Sequence, residues 1–139
     1  MQLWKMRPEP GAPAQRVTRG GGYAAIESAD GKTLYYARAG PEWTLRKVPT
    51  EGGEETEVLR HIVNWGAFDV TASAIYYVTI ADRKTQLRRR RLADGRDELL
   101  LVPEKPCTFG VAAAPDDSAV LWGQLDHHSS ELMLIERLE

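Results

Sequence analysis

The sequence has little of several things, and each shortage excludes something. It holds one cysteine, Cys107, so no disulfide can form within the chain and the redox compartment stays open. No apolar run approaches the roughly 18–20 residues that a bilayer-spanning helix needs, so membrane insertion is not expected. Neither sign of charge is in excess: 18 Lys and Arg face 20 Asp and Glu, for a net charge of −2 and a pI near 5.9. A nucleic-acid partner is therefore not expected, because binding phosphates calls for a basic surplus gathered on one face. Met1-Gln2-Leu3-Trp4-Lys5 has no apolar stretch leading to a cleavage site, so no signal peptide is expected here. Capped stripes of 3.6-residue period are also missing, so helix should be minimal.

What is present is a repeat. Leu34-Tyr35-Tyr36-Ala37-Arg38, Ile75-Tyr76-Tyr77-Val78-Thr79 and Val120-Leu121-Trp122-Gly123-Gln124 are one kind of strand in one kind of setting. They are spaced by 76 − 35 = 41 and 121 − 76 = 45 positions, about the length of a four-stranded propeller blade. Asp30-Gly31, Gly52-Gly53, Asp94-Gly95 and Pro115-Asp116-Asp117 mark tight turns. Between them lie short segments rich in Val, Ile, Leu, Thr and Tyr, as half-buried strands require.

The expected fold is all-β, a single domain over residues 1–139 made of antiparallel four-stranded blades. Strands over 3–6 and 15–18 form part of an incomplete blade within residues 1–19. Strands over 23–28, 34–38, 44–49 and 55–59 make one whole blade, and 67–71, 74–80, 86–92 and 97–102 make a second. Strands over 109–114, 119–125 and 131–137 begin a third. That makes thirteen strands and about three blades, a half-propeller. An open row of three blades exposes an apolar sheet face at each end, which monomers avoid. The expected remedy is a homodimer, closed head to tail as a six-bladed ring, in which strand 15–18 of one copy completes the last blade of the other. Strand 3–6 would be displaced or would compete with 131–137.

The turns carry a resemblance. Ser28-Ala29-Asp30-Gly31-Lys32-Thr33-Leu34-Tyr35-Tyr36 and the degenerate Ala114-Pro115-Asp116-Asp117-Ser118-Ala119-Val120-Leu121-Trp122 resemble the Ser-Pro-Asp-Gly-Lys blades of TolB-like β-propellers. The middle copy, Thr71-Ala72-Ser73-Ala74-Ile75-Tyr76-Tyr77, is two residues shorter and lacks the Asp-Gly turn. Gly52-Gly53-Glu54 is similar to a turn of the same family, and Glu131-Leu132-Met133-Leu134-Ile135-Glu136 to the C-terminus of bacterial regulators and kinases that carry such a propeller. The resemblance implies a non-enzymatic scaffold for protein–protein or ligand binding, and it allows a periplasmic location. The alternatives are a propeller enzyme acting on glycans or peptides and a sensory module cut from a larger regulator.

In such a fold, the loops after second and fourth strands share one end. They would hold Arg38, Trp43, His61, Asn64, Trp65, Asp82, Arg83, Asp126, His127 and His128, a candidate partner face rich in aromatic and Arg anchors. Trp43 and Trp65 could equally be lids on blade ends. Glu27 and Asp69 occupy corresponding first-strand positions and could face the central channel, where solvation is favoured over acid–base chemistry. No Gly-x-Ser-x-Gly elbow is present and Ser28, Ser73 and Ser118 lie in or beside turns, so no catalytic residue is assigned. Asp126-His127-His128 has the composition of a metal motif, but adjacent side chains diverge and His61 and Cys107 are the only other soft ligands. No metal and no cofactor is expected. Arg88-Arg89-Arg90-Arg91 alternates along a strand and reads as a solvated rim in preference to an anion-docking strip.

Overall fold

Strand alternation decides the architecture. In the computed structural model, which describes residues 1–126, the Tyr-Tyr strands are buried on both faces, so each must lie between two neighbours. The described residues contain no helix. They form twelve strands: β1 (Trp4–Lys5), β2 (Gln15–Arg16), β3 (Tyr23–Glu27), β4 (Thr33–Arg38), β5 (Trp43–Pro49), β6 (Thr56–Ile62), β7 (Phe68–Val70), β8 (Ala74–Ala81), β9 (Lys84–Arg91), β10 (Asp97–Leu101), β11 (Cys107–Ala113) and β12 (Val120–Gln124). The thirteenth expected strand, over 131–137, lies outside the described residues, as do His127 and His128.

Two complete antiparallel meanders follow from the pairings: β3-β4-β5-β6 and β7-β8-β9-β10. They are flanked by two hairpins, β1-β2 before and β11-β12 after. The expected blades are present, and their edges differ from expectation. Strands over 3–6 and 15–18 shrink to two-residue pairs. β6 runs three residues further, to Ile62, because His61 takes a left-handed backbone (φ +60) and lets Ile62 pair with Thr79 of β8. That is the one ladder pair joining the two blades.

Each blade sends alternate side chains to opposite neighbours. Tyr36, Val48 and Leu34 face back, packing with Leu3 and Val17 beside the N-terminal hairpin. Tyr35, Ala37, Leu45 and Leu59 face forward and meet Phe68, Ile75 and Tyr77 of the second blade. Tyr76, Ala74, Val78 and Leu87 repeat the forward role, meeting Val111, Ala113 and Val120. In each Tyr-Tyr pair, the leading ring thus faces the following blade and the trailing ring faces the preceding one. Fully buried Leu45, Ile75, Val48 and Val78 each contribute about 1.5–3 kcal/mol of apolar burial.

Polar ties repeat with the same period. The Tyr36 hydroxyl donates to Glu55 Oε2 at 2.8 Å, and the Tyr77 hydroxyl donates to Asp97 Oδ1 at 2.8 Å. Each carboxylate stands at the start of, or just before, its blade's fourth strand. The arginine run of β9 is consumed locally: Arg88 and Arg90 approach Asp97 at 3.5 and 3.2 Å, Arg89 pairs with Glu98, and Arg91 with Asp94. That ladder accounts for the run as a self-neutralised rim.

Hairpin turns close on side chains. Asp30 Oδ1 accepts from the Ser28 hydroxyl at 2.7 Å and from Lys32 N–H at 3.1 Å. Asp116 repeats this with the Ser118 hydroxyl and N–H at 2.6 and 3.1 Å. The left-handed residue is Gly31 (φ +71) in the first turn and Asp117 (φ +61) in the second. The tie between Tyr77 and Asp97 makes a test available. Tyr77→Phe should lower stability by about 0.5–1.5 kcal/mol in urea denaturation, because Asp97 loses its tyrosine donor and keeps only Arg88 and Arg90. Tyr35→Phe, whose hydroxyl has no hydrogen bond among the described residues, should change it by less than about 0.5 kcal/mol. Equal losses would refute this account of the ties.

Candidate functional site

Antiparallel meanders send alternate connections to opposite ends, so the segments 20–22, 39–42, 63–67, 82–83 and 102–106 gather at one loop end. Every described member of the expected partner face lies at this end, and the structure sorts them into separate groups. Trp43, at the start of β5, sets its ring edge-on to Tyr23 with centroids 5.3 Å apart and planes at 78°. Next to it, Glu42 draws in Arg60 at 3.6 Å and the His61 Nδ1, whose ring is turned outward by the left-handed backbone.

Trp65 forms the second aromatic pair, with Phe109 at 5.6 Å and 44°. The Asn64 side chain accepts from Gly66 N–H at 2.8 Å and bends the chain so that Phe109 reaches back from β11 over Gly66. Sequence reasoning missed Phe109. The signal was available: Tyr23 and Phe109 each stand four residues before the last residue of a first strand, Glu27 and Ala113.

Asp82 and Arg83 form the two-residue tip of the β8–β9 hairpin, both left-handed at φ +52 and +61, as a primed turn requires. Asp126 accepts from Gln124 at 2.8 Å and from Lys105 at 3.1 Å, and the Gln124 amide followed by Lys105 holds its carboxyl below the usual range.

Arg38 belongs to a different group. A Cβ added to Gly20 would sit 2.9 Å from Arg38 Nη1 and 2.9 Å from Glu55 Oε2, so a larger residue there would push these side-chain ends aside. Glu55 Oε1 accepts from the N–H groups of Arg19 at 2.6 Å and Gly20 at 3.2 Å. Partial burial works against its charge, but those N–H groups, the Tyr36 hydroxyl and Arg38 together hold its pKa below 4.5. Burial, with the same contact, pushes Tyr36 up to about 12. Glu55 was absent from the expected site; its counterpart Asp97, 42 positions later, was the available clue.

The two first-strand carboxylates do not correspond. Glu27 pairs with Leu34 and faces back toward Leu3 and Val17, whereas Asp69 pairs with Tyr76 and faces forward. Asp69 Oδ2 accepts from Ala113 N–H at 2.7 Å and Oδ1 from Val70 N–H at 2.8 Å, which makes it a tie between blades. Counting back from the second strands, Glu27 matches Val70, because the middle hairpin is two residues shorter.

Among the described residues, no three His, Cys, Asp or Glu converge to hold a metal ion. Burial pushes the Cys107 thiol up, which disfavours the reactive thiolate. What the loop end offers chemically is aromatic area, arginine and short polar turns, suited to contact with another macromolecule.

The lowered pKa of Glu55 gives a testable pH dependence. A carboxyl with a depressed folded pKa contributes stability above its unfolded value, near 4.5, and loses it as pH falls through the lower folded value. Glu55→Gln should therefore flatten the fall in urea stability below about pH 4.5 and weaken protection of the Arg19 and Gly20 amides from hydrogen exchange. An acid profile identical to the wild type would contradict this role.

No protein-family model and no curated protein matches the sequence. Among solved structures, one from Agrobacterium tumefaciens described as "putative TolB" superposes with a TM-score of 0.68 at 14% identity, over 88% of this chain and 47% of that one. The chain thus spans about half the length of that structure. At this identity the likeness establishes the fold, a TolB-like β-propeller.

Proposed function

We propose that this chain is a non-enzymatic scaffold that binds other proteins at its loop end and joins head to tail with a second copy into a closed ring. One observation carries the reading: the described strands sort into two whole blades and two complementary half blades. β11 and β12 hold first- and second-strand positions. β1 and β2 hold third- and fourth-strand positions, since Leu3 packs forward as Leu45 and Leu87 do. Edge to edge, β12 of one copy and β1 of the other would make one four-stranded blade, giving three blades per chain and six per pair.

The exposed faces support the match. Trp4, 61% exposed, occupies the backward-facing position held by Arg46 and Arg88 in the whole blades. Leu121, 70% exposed, occupies the forward-facing position that Tyr35 and Tyr76 fill inside the molecule. Their burial in a joint of the internal kind would remove two apolar faces from water at once. The strand expected over 131–137 would claim the same edge of β12, so ring closure requires that β1 win it. At the loop end, the pairs Tyr23–Trp43 and Trp65–Phe109 supply the aromatic anchors that protein contacts favour.

Light scattering during size exclusion tests the ring. The expected mass is about 31 kDa, twice the 15.5 kDa chain, and Trp4→Asp or Leu121→Asp should each return it to the chain mass with unchanged circular dichroism. A wild-type monomer at tens of micromolar overturns the ring. Partner binding is read separately: Trp65→Ala should keep the dimer mass yet weaken affinity for a protein co-purifying with the wild type by about tenfold or more. Unchanged affinity overturns the loop-end assignment.

A further inference from the structure

The two joints between blades follow one plan and differ at one point. Across the second joint, the Tyr76 hydroxyl donates to Asp117 Oδ1 at 3.1 Å, and the Ser73 hydroxyl donates to the other oxygen of that carboxylate. Arg89, the cross-strand partner of Tyr76, adds its positive charge. Asp117 reaches this spot because it occupies the left-handed position of the 114–119 turn, which aims its side chain back at the preceding blade.

Across the first joint, Tyr35 stands where Tyr76 does and its cross-strand partner Lys47 stands where Arg89 does. The hairpin that follows is the short one, closed by Thr71 N–H to Ala74 O at 2.9 Å, whereas Ala114 N–H closes on Ala119 O at 2.8 Å. Its two-residue deficit removes the position that Asp117 holds, and no carboxylate reaches across. The corresponding space is a cleft of about 230 Å³ lined by Tyr35, Lys47, Ile75 and Arg90, with Glu57 on one wall. Among the described residues, neither the Tyr35 hydroxyl nor the Lys47 ammonium has a hydrogen-bond or ion-pair partner. Glu57 is engaged by Arg60 and Arg46, and Arg90 by Asp97 at 3.2 Å, so the cleft keeps one uncompensated cation beside a hydroxyl donor.

We infer that this cleft is a carboxylate-binding site, which takes an acidic side chain of a partner protein or a small free carboxylate in the place that Asp117 fills at the next joint. The chain's own repeat specifies the recognition: a tyrosine hydroxyl donating to a carboxylate with a cation standing nearby, as Tyr76 donates to Asp117 while Arg89, itself bonded to Glu98, adds its positive charge. The cleft lies at the turn end of the blades, away from the loop end, and stands whether or not two copies close a ring. Its volume suits one carboxylate with a few carbons.

Titration of the whole, isotopically labelled chain by amide chemical shifts tests the site. The probes are acetate, succinate, the end-blocked hexapeptide Ala-Pro-Asp-Asp-Ser-Ala that copies residues 114–119, and the same peptide with both Asp replaced by Asn. Saturable shifts at Lys47 and Ile75 are expected with at least one carboxylate probe and not with the Asn peptide. Saturation by acetate or succinate identifies a free carboxylate as sufficient; saturation by the Asp peptide alone identifies a protein side chain. Tyr35→Phe and Lys47→Met should each weaken binding about tenfold, the effect of one charge-assisted hydrogen bond. A chain whose residues 71–74 are replaced by the sequence of 114–119 should lose binding altogether, because its own Asp then fills the cleft. Absence of saturation with every probe, equal binding of the Asn peptide, or indifference to both substitutions overturns the site.

Discussion

A strand that is apolar on both faces is stable only between two others, and this constraint governs the molecule. Tyr35 and Tyr36, then Tyr76 and Tyr77, put a large ring on each side of a central strand. Each ring removes a large area from water only if a neighbouring blade covers it. Stacking of blades is therefore a condition of folding for each blade. The forward core around Tyr35 and Leu45 and the backward core around Tyr36 and Val48 are separate clusters, so every blade is held twice, by different residues.

Polar groups then fix where the blades stop. Glu55 and Asp97 accept from the trailing tyrosine of their own blade at matching places, and Asp117 accepts from Tyr76 across the second joint. Asp69 does the same for the Ala113 N–H of β11. Each carboxylate gains donors that its charge strengthens, so the ties set alignment as well as energy. The arginine ladder of β9 adds less per pair, since these groups are partly solvated.

The strands were legible in the sequence because period-two burial and turn residues write directly into composition. The Tyr-Tyr repeat located the second strands, and Asp30-Gly31 and Asp116-Asp117 located the turns that precede them. Legibility failed where two residues changed the count. Glu27 and Asp69 stand 42 apart, but second strands 41 apart preceded by a hairpin two residues shorter match Glu27 with Val70, 43 positions on, and on a strand one residue reverses the face. Phe109 and Glu55 escaped notice for another reason. Their roles depend on the neighbours they reach in space, Trp65 in one case and Arg19, Gly20 and Tyr36 in the other, and none of these is near in sequence.

The joint between the two whole blades has one ladder pair, Ile62 with Thr79, supplemented by Val63 N–H to Val78 O. Inside a blade, β4 and β5 share six aligned pairs and β8 and β9 share eight. Backbone cohesion is thus concentrated within blades, while the joint relies mainly on side-chain packing, with a single ladder pair to break. In mechanical terms the molecule is a stack of stiff plates on soft glue. Stretched along the chain, it would yield one plate at a time, releasing lengths of about forty residues in steps of similar size.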